Sequence, residues 1–351
     1  MLFLSHVSQG KLKCRYLKMQ KKLTIIIPIY NPIISLDKIL NNIYKQKSQN
    51  FDVIITIDKP KDKDFYEIDK IQNKLKDSVK FIFNTSHQHV VSVIQEALKL
   101  VKTNYVYVLY SYCELKTKFT QNIDDFLNSL KELPDFIEVP GFSTSISHSL
   151  IKSNILSNLG VVNLEKNKYP YALVTPFIFN CLMKKEIMEQ VVQSPKIKDS
   201  NQEYSSNFVF KALLYSKTFA YFNDTWIENL NYGFLSFNPK SLTRGWNSIF
   251  NQFNIEDQDK KNALEFAKFI NYCYYIAGIL GTIKTRKNEL DAKNLKNIKV
   301  ALLQEIQTQK QFWTNQLKTN PYFEQFNIQE LFDLTNGLVE KWDLILKKFL
   351  W

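Results

Sequence analysis

The chain has 351 residues, 45% of them hydrophobic and 23% charged, and 46 Lys and Arg against 34 Asp and Glu give it a formal charge of +12. That is enough apolar sequence for one large or two modest cores, and it excludes a disordered, collagen-like or disulfide-stapled chain. Only 8 glycines occur, none in a G-x-G, where an average protein has roughly 7% glycine. The dinucleotide fingerprint, the phosphate P-loop and the G-x-S-x-G nucleophile elbow are therefore excluded.

In chain order, residues 1–22 carry Lys11, Lys13, Arg15, Lys18, Lys21 and Lys22 and no acid. With so much of the excess charge in this short stretch, the body is only mildly basic and no nucleic-acid partner is expected. The charges follow a short apolar start instead of preceding an apolar core segment, unlike a secretory signal. Residues 1–21 read as a dispensable basic extension, with Met19 as an alternative start. No apolar run approaches the length of a membrane span. Cys14, Cys113, Cys181 and Cys273 stand far apart, which indicates neither a zinc site nor a disulfide framework and fits a reducing cytoplasm.

Leu23–Ile29 is a short, continuous, β-branched run ended by Asn31-Pro32, the pattern of a strand buried on both faces. Ser35 caps a helix whose apolar positions Leu36, Ile39, Leu40 and Ile43 share one face. Phe51–Ile57 is a second buried strand, stopped at Asp58-Lys59-Pro60. A polar amphipathic helix over 64–76, a strand over Val79–Phe83, a helix over Val90–Val101 and a strand over Tyr105–Leu109 complete the alternation. The pattern predicts an α/β fold with a mostly parallel sheet flanked by helices. Ligands in such sheets bind at the carboxyl ends of the strands. The candidate site is thus Tyr30 and Asn31, Asp58, Asn84–His89 and Tyr110–Glu114.

From about 135 to 250 the pattern is irregular, with a helix near Asn207–Leu214. Residues 259–283, 290–317 and 328–349 are long, poor in Gly and Pro, and apolar at helical spacing. The expected division is a basic extension (1–21), an α/β domain (22–250) and a helical C-terminal module (251–351).

"KLTIIIPIYNPIISLDKILNNIYKQ" followed by "FDVIITIDKPKDKD" resembles the opening of glycosyltransferase family 2. Its members are inverting enzymes of GT-A fold that move a sugar from a nucleotide-diphosphate sugar. The resemblance implies that Pro28, Tyr30 and Asn31 form the turn that touches the nucleotide. It also implies that Asp58 is the survivor of an acid pair normally followed by Gly-Ser. Weaker similarity runs in order to "SLTRGW" at 241–246, and the helical module has no counterpart.

The departures define the question. Where the family has D-x-D to hold Mg²⁺ or Mn²⁺, this chain has Tyr110-Ser111-Tyr112. Ser111 and Tyr112 are then expected at the nucleotide sugar, and Glu114 is the nearest acid for a metal. An inverting transfer also needs a carboxylate base. The family's E-D pair falls on Tyr204-Ser205, leaving Glu203 or Asp199 as candidates. Arg244 and Lys217 are candidates to replace the cation's charge. His87-Gln88-His89 places two imidazoles near the expected site, where an extended segment could share a metal between them; with no third ligand identifiable, ordinary loop histidines are the favoured reading.

Two readings stand. One is a cytoplasmic glycosyltransferase acting with inversion on a glycan, lipid or protein acceptor. The segment "EKWDLILKKFLW" would supply peripheral contact with the inner face of an anionic membrane. The other is a catalytically inactive relative serving as a binding or scaffold subunit.

Overall fold

A computed structural model describes residues 21–32, 34–75, 78–143, 149–195, 206–225, 227–229, 239–285 and 292–326. The chain opens by alternating strand and helix: β1 (Leu23–Tyr30), α1 (Leu36–Tyr44), β2 (Phe51–Asp58), α2 (Asp62–Leu75), β3 (Val79–Asn84), α3 (Val90–Leu98) and β4 (Tyr105–Val108). Ile25, Ile26 and Ile27 are consecutive and all fully buried. Successive residues of a strand face opposite sides of its sheet, so this pattern requires cover on both faces. Burying each contributes roughly 2–3 kcal/mol. The Ser35 hydroxyl accepts from the Lys38 amide at 3.3 Å and caps α1, whose Leu36, Ile39, Leu40 and Ile43 form the buried stripe.

These strands are parallel, in the order β3-β2-β1-β4. β1 is in register with β2 as far as Tyr30 opposite Asp58, whereas its pairing with β4 ends at Ile26 opposite Val108. Pro28 therefore falls where β1 has a ladder partner on one side only, a position at which a missing amide hydrogen is tolerated.

The chain continues through β5 (Cys113–Leu115), α4 (Phe119–Ser129), β6 (Phe136–Glu138), β7 (Gly141–Ser143), β8 (Ser149–Ile151), α5 (Asn154–Ser157), β9 (Val161–Asn163) and α6 (Tyr169–Leu173). It then forms β10 (Cys181–Lys184), α7 (Lys185–Gln193), α8 (Ser206–Tyr215), β11 (Thr218–Tyr221) and β12 (Ile227–Asn229). The main sheet extends beyond β4 in the order β10-β6-β11-β9. β10 is antiparallel to both β4 and β6, and β11 is parallel to β6. Hence β6 and β11 run in the same direction as β1, and their carboxyl ends share its edge. A smaller sheet, β5-β12-β7-β8, stands at that edge, because β5 and β7 each follow a strand of the main sheet after a short turn. At Gly141 a Cβ would lie 2.7 Å from the Phe179 ring, so this close approach requires glycine.

The helical end comprises α9 (Pro239–Gln252), α10 (Gln258–Thr285), α11 (Ala292–Thr319) and α12 (Pro321–Gln325). Its seam is aromatic: the buried Trp313 meets Phe269 and Tyr272 edge-on with ring centroids 5.4 and 5.2 Å apart, and Phe266 meets Phe323 at 5.3 Å. α10 packs on α6, and these residues join one apolar cluster that begins at Leu23. No described helix is long and apolar enough to cross a membrane. The expected helix over 328–349, the segment "EKWDLILKKFLW" and residues 1–20 lie outside the described residues.

Candidate functional site

The carboxyl ends of β1 and β2 open into a cleft of about 540 Å³ whose walls include Tyr30, Asn31 and Asp58, the cations Lys59, Lys61 and Lys63, and the acids Asp64 and Glu67. Two residues at these strand ends are left-handed without being glycine: Asn31 at φ 43° and Lys59 at φ 51°. Asn tolerates this conformation, whereas a lysine pays roughly 1–2 kcal/mol for it. Lys59 stands where the resemblance places a glycine. The backbone there has the left-handed conformation that glycine adopts at least cost, and the side chain it carries is a cation on the cleft wall.

Asp58 is the organising group. It is buried, and the chain's own loop after β3 supplies its partners. Oδ1 accepts from Asn84 Nδ2 at 2.8 Å, while Oδ2 accepts from the Gln88 amide at 2.7 Å and lies 3.1 Å from His87 Nδ1. A carboxylate only accepts, so the His87 ring donates from Nδ1. The same imidazole stacks on Tyr30, with centroids 3.7 Å apart and planes 19° from parallel. Tyr30 and His87 are both about half exposed. His89 does a different job, accepting from the Val91 amide at 3.2 Å as the cap of α3. The two imidazoles are thus engaged separately.

At the end of β4, Tyr110 is buried and stacks on the half-buried Tyr112 with centroids 5.4 Å apart and planes 4° from parallel. Ser111 is half-buried in the turn between them. Glu114, on β5, is ion-paired with Lys38 of α1 at 2.8 Å. Among the described residues no three His, Cys, Asp or Glu side chains converge on a metal position. Mg²⁺ and Mn²⁺ need hard oxygen donors, carboxylates above all. Two tyrosines, a serine and a glutamate already paired to a lysine do not fit such an ion.

Of the residues marked out by sequence, Tyr30, Asn31 and Asp58 come together around the cleft, with Pro28 inside β1 behind them. Ser111, Tyr112 and Glu114 sit at the same edge of the sheet but do not line the cleft. Arg244 is solvent-facing on α9. Lys217 precedes β11, where its amide donates to Asp135 at 2.7 Å, and this is the opposite edge of the sheet. Glu203 and Asp199 lie outside the described residues. Lys61 and Lys63 were missed, although "DKPKDKD" gives every other residue as a lysine directly after the second strand.

Glu138 was missed as well. It ends β6 at the same sheet edge and is fully buried. Its Oε1 accepts from the Thr175 amide at 2.9 Å, the Thr175 hydroxyl at 2.6 Å and Asn180 Nδ2 at 3.3 Å, while Oε2 has no partner among the described residues. Burial outweighs these hydrogen bonds and pushes the carboxyl up to about 7. The visible signal is the acid that closes "FIE", an otherwise apolar run at a strand's carboxyl end.

Residues 24–131 match the family model described as Glycosyl transferase family 2. No curated protein sequence matches the chain. Among solved structures, S. aureus TarS 1–349 is 15% identical with a TM-score of 0.54 over 81% of this chain and 91% of that one. The same protein in complex with UDP-GlcNAc gives 15% and 0.53 over 81% and 92%. The mannosyltransferase PcManGT from Pyrobaculum calidifontis, in complex with GDP-Man and Mn²⁺, gives 10% and 0.51 over 89% and 88%. At these identities the likeness is one of fold.

Proposed function

We propose, starting from a GT-A fold whose residues 24–131 match the glycosyltransferase family 2 model, that the chain is a member of that family and binds a nucleoside diphosphate sugar in the cleft between β1 and β2. It then transfers the sugar, with inversion, to a glycan, lipid or protein acceptor. The observation that carries this reading is the placement of Tyr30 and Asp58. They are register partners at adjacent strand ends, and they put an aromatic face beside a buried acceptor on a cleft wall. Structural neighbours that bind UDP-GlcNAc or GDP-Man support it.

Each group then has a part that follows from its chemistry. Asp58 accepts from an N–H of the nucleobase, and Tyr30 offers the flat surface beside it. Lys59, Lys61 and Lys63 are the cations on a wall that also carries Asp64 and Glu67, and they are the groups available to offset a dianionic diphosphate, the role a metal would otherwise fill. In the transfer the acceptor hydroxyl oxygen bonds to the anomeric carbon as the bond to the diphosphate oxygen breaks. The nucleoside diphosphate leaves from the opposite face, and Glu203 or Asp199 takes the hydroxyl proton. Residues 251–351 act as an appended module, and the protein works in the cytoplasm at the inner face of the membrane.

A donor-hydrolysis screen over common nucleotide sugars, with and without Mn²⁺, tests this. Turnover of one donor without added metal, abolished in Asp58→Ala, is the expected result. The replacement of D-x-D by Tyr110-Ser111-Tyr112 favours the second reading, a non-catalytic relative. Donor binding without turnover under any metal condition would establish that reading instead.

A further inference from the structure

The His87 ring does not itself line the cleft, but it makes on two residues that do, Tyr30 and Asp58, the contacts that a nucleobase would seek there. It is a flat heteroaromatic ring, it lies on Tyr30 with centroids 3.7 Å apart, and it presents a ring N–H to Asp58 Oδ2 at 3.1 Å. With Asn84 on Oδ1 and the Gln88 amide also on Oδ2, both lone pairs of Oδ2 are taken while His87 stays. We propose that His87 is a built-in stand-in for the base of the donor, and that nucleotide binding requires its displacement from Tyr30 and Asp58. This rests on the reading of the cleft as a nucleotide-sugar site and adds what controls entry to it.

Two consequences follow from the chemistry of the stand-in. The position selects a base with a ring N–H donor on its pairing edge, as uracil and guanine have and adenine and cytosine lack. The contact also lowers every nucleotide's apparent affinity by the same factor, because a site open for only a fraction of the time binds in proportion to that fraction. One stacked ring and one hydrogen bond to a carboxylate hold the closed form by a factor on the order of ten to a hundred. His87 is half exposed, and Asp58 keeps two other donors without it. His87→Ala therefore removes the plug and spares the fold.

The experiment is isothermal titration of UDP, GDP, ADP and CDP into the full chain, comparing wild type, His87→Ala and His87→Phe. Phe retains the stack and loses the N–H. The expected result is binding of UDP or GDP by all three proteins, about tenfold or more tighter in His87→Ala and intermediate in His87→Phe. The preference among bases should not change. Equal or weaker binding by His87→Ala would overturn the stand-in and make His87 part of the binding platform. Binding of no nucleotide by any of the three proteins would overturn the cleft reading beneath it.

Discussion

Replacing Glu138 by Gln should make the protein less sensitive to rising pH, by an amount set by the burial of one carboxyl group. In the folded protein Glu138 is fully buried with one oxygen unpartnered among the described residues, and its pKa is pushed up from an ordinary 4.5 to about 7. A raised folded-state pKa means that the native state holds the proton more tightly than the unfolded chain. The associated stability is fully present below pH 4.5, declines as pH rises, and is lost above the folded value of about 7. Across that window the loss is on the order of 3 kcal/mol. Gln keeps an oxygen for Thr175 and Asn180 and cannot ionise. Urea unfolding at pH 5 and pH 8.5 should show the two proteins nearly equal at the lower pH. At the higher pH the variant should be more stable by about 2–3 kcal/mol, a difference well above the error of extrapolation. Parallel pH dependence in the two proteins would refute the assignment of a buried, uncompensated carboxylate.

Lys59→Gly should stabilise the fold by about 1 kcal/mol in the same assay, because it relieves a left-handed lysine, while weakening nucleotide-sugar binding through loss of a cleft cation. Lys61→Glu combined with Lys63→Glu should weaken donor binding at least tenfold at low salt, with the difference shrinking as salt rises; the calorimetric salt series measures this directly. Trp313→Ala should destabilise the chain by about 3–5 kcal/mol, because it empties a buried position against Phe269 and Tyr272. Chemical denaturation reads this loss, and a change under 1 kcal/mol would mean that the aromatic seam is not part of the cooperative core.

What the sequence revealed, and what it hid, divides along physical lines. The strands from Leu23 to Val108 were legible because their apolar runs are continuous and end at Asn31-Pro32 and Asp58-Lys59-Pro60, where local chemistry stops a strand. The parallel topology then located Tyr30, Asn31 and Asp58 at one edge without further information. The same topology brought Asn84–His89 to that edge, but which of them reach Asp58 was not legible. That His87 reaches back to Asp58 depends on how the loop after β3 crosses the strand ends. That Glu114 is taken by Lys38 depends on α1 packing beside β5, a contact between segments distant in sequence. Lys59 hid for another reason: a lysine in place of glycine reads as the loss of a left-handed turn, yet the end of β2 holds Lys59 at φ 51°. Glu138 was invisible because its environment comes from Thr175 and Asn180, which β10 brings beside β6 across an antiparallel pair that hydrophobic periodicity does not predict.

The most direct test of the central claim is titration of the full chain with UDP-GlcNAc and GDP-Man in the presence of a chelator, wild type against Asp58→Ala. The reading of the cleft between β1 and β2 as the donor site predicts that one of these donors binds without metal and that the variant weakens it at least tenfold. Undetectable binding of both donors to wild type, or equal affinity in Asp58→Ala, would contradict it.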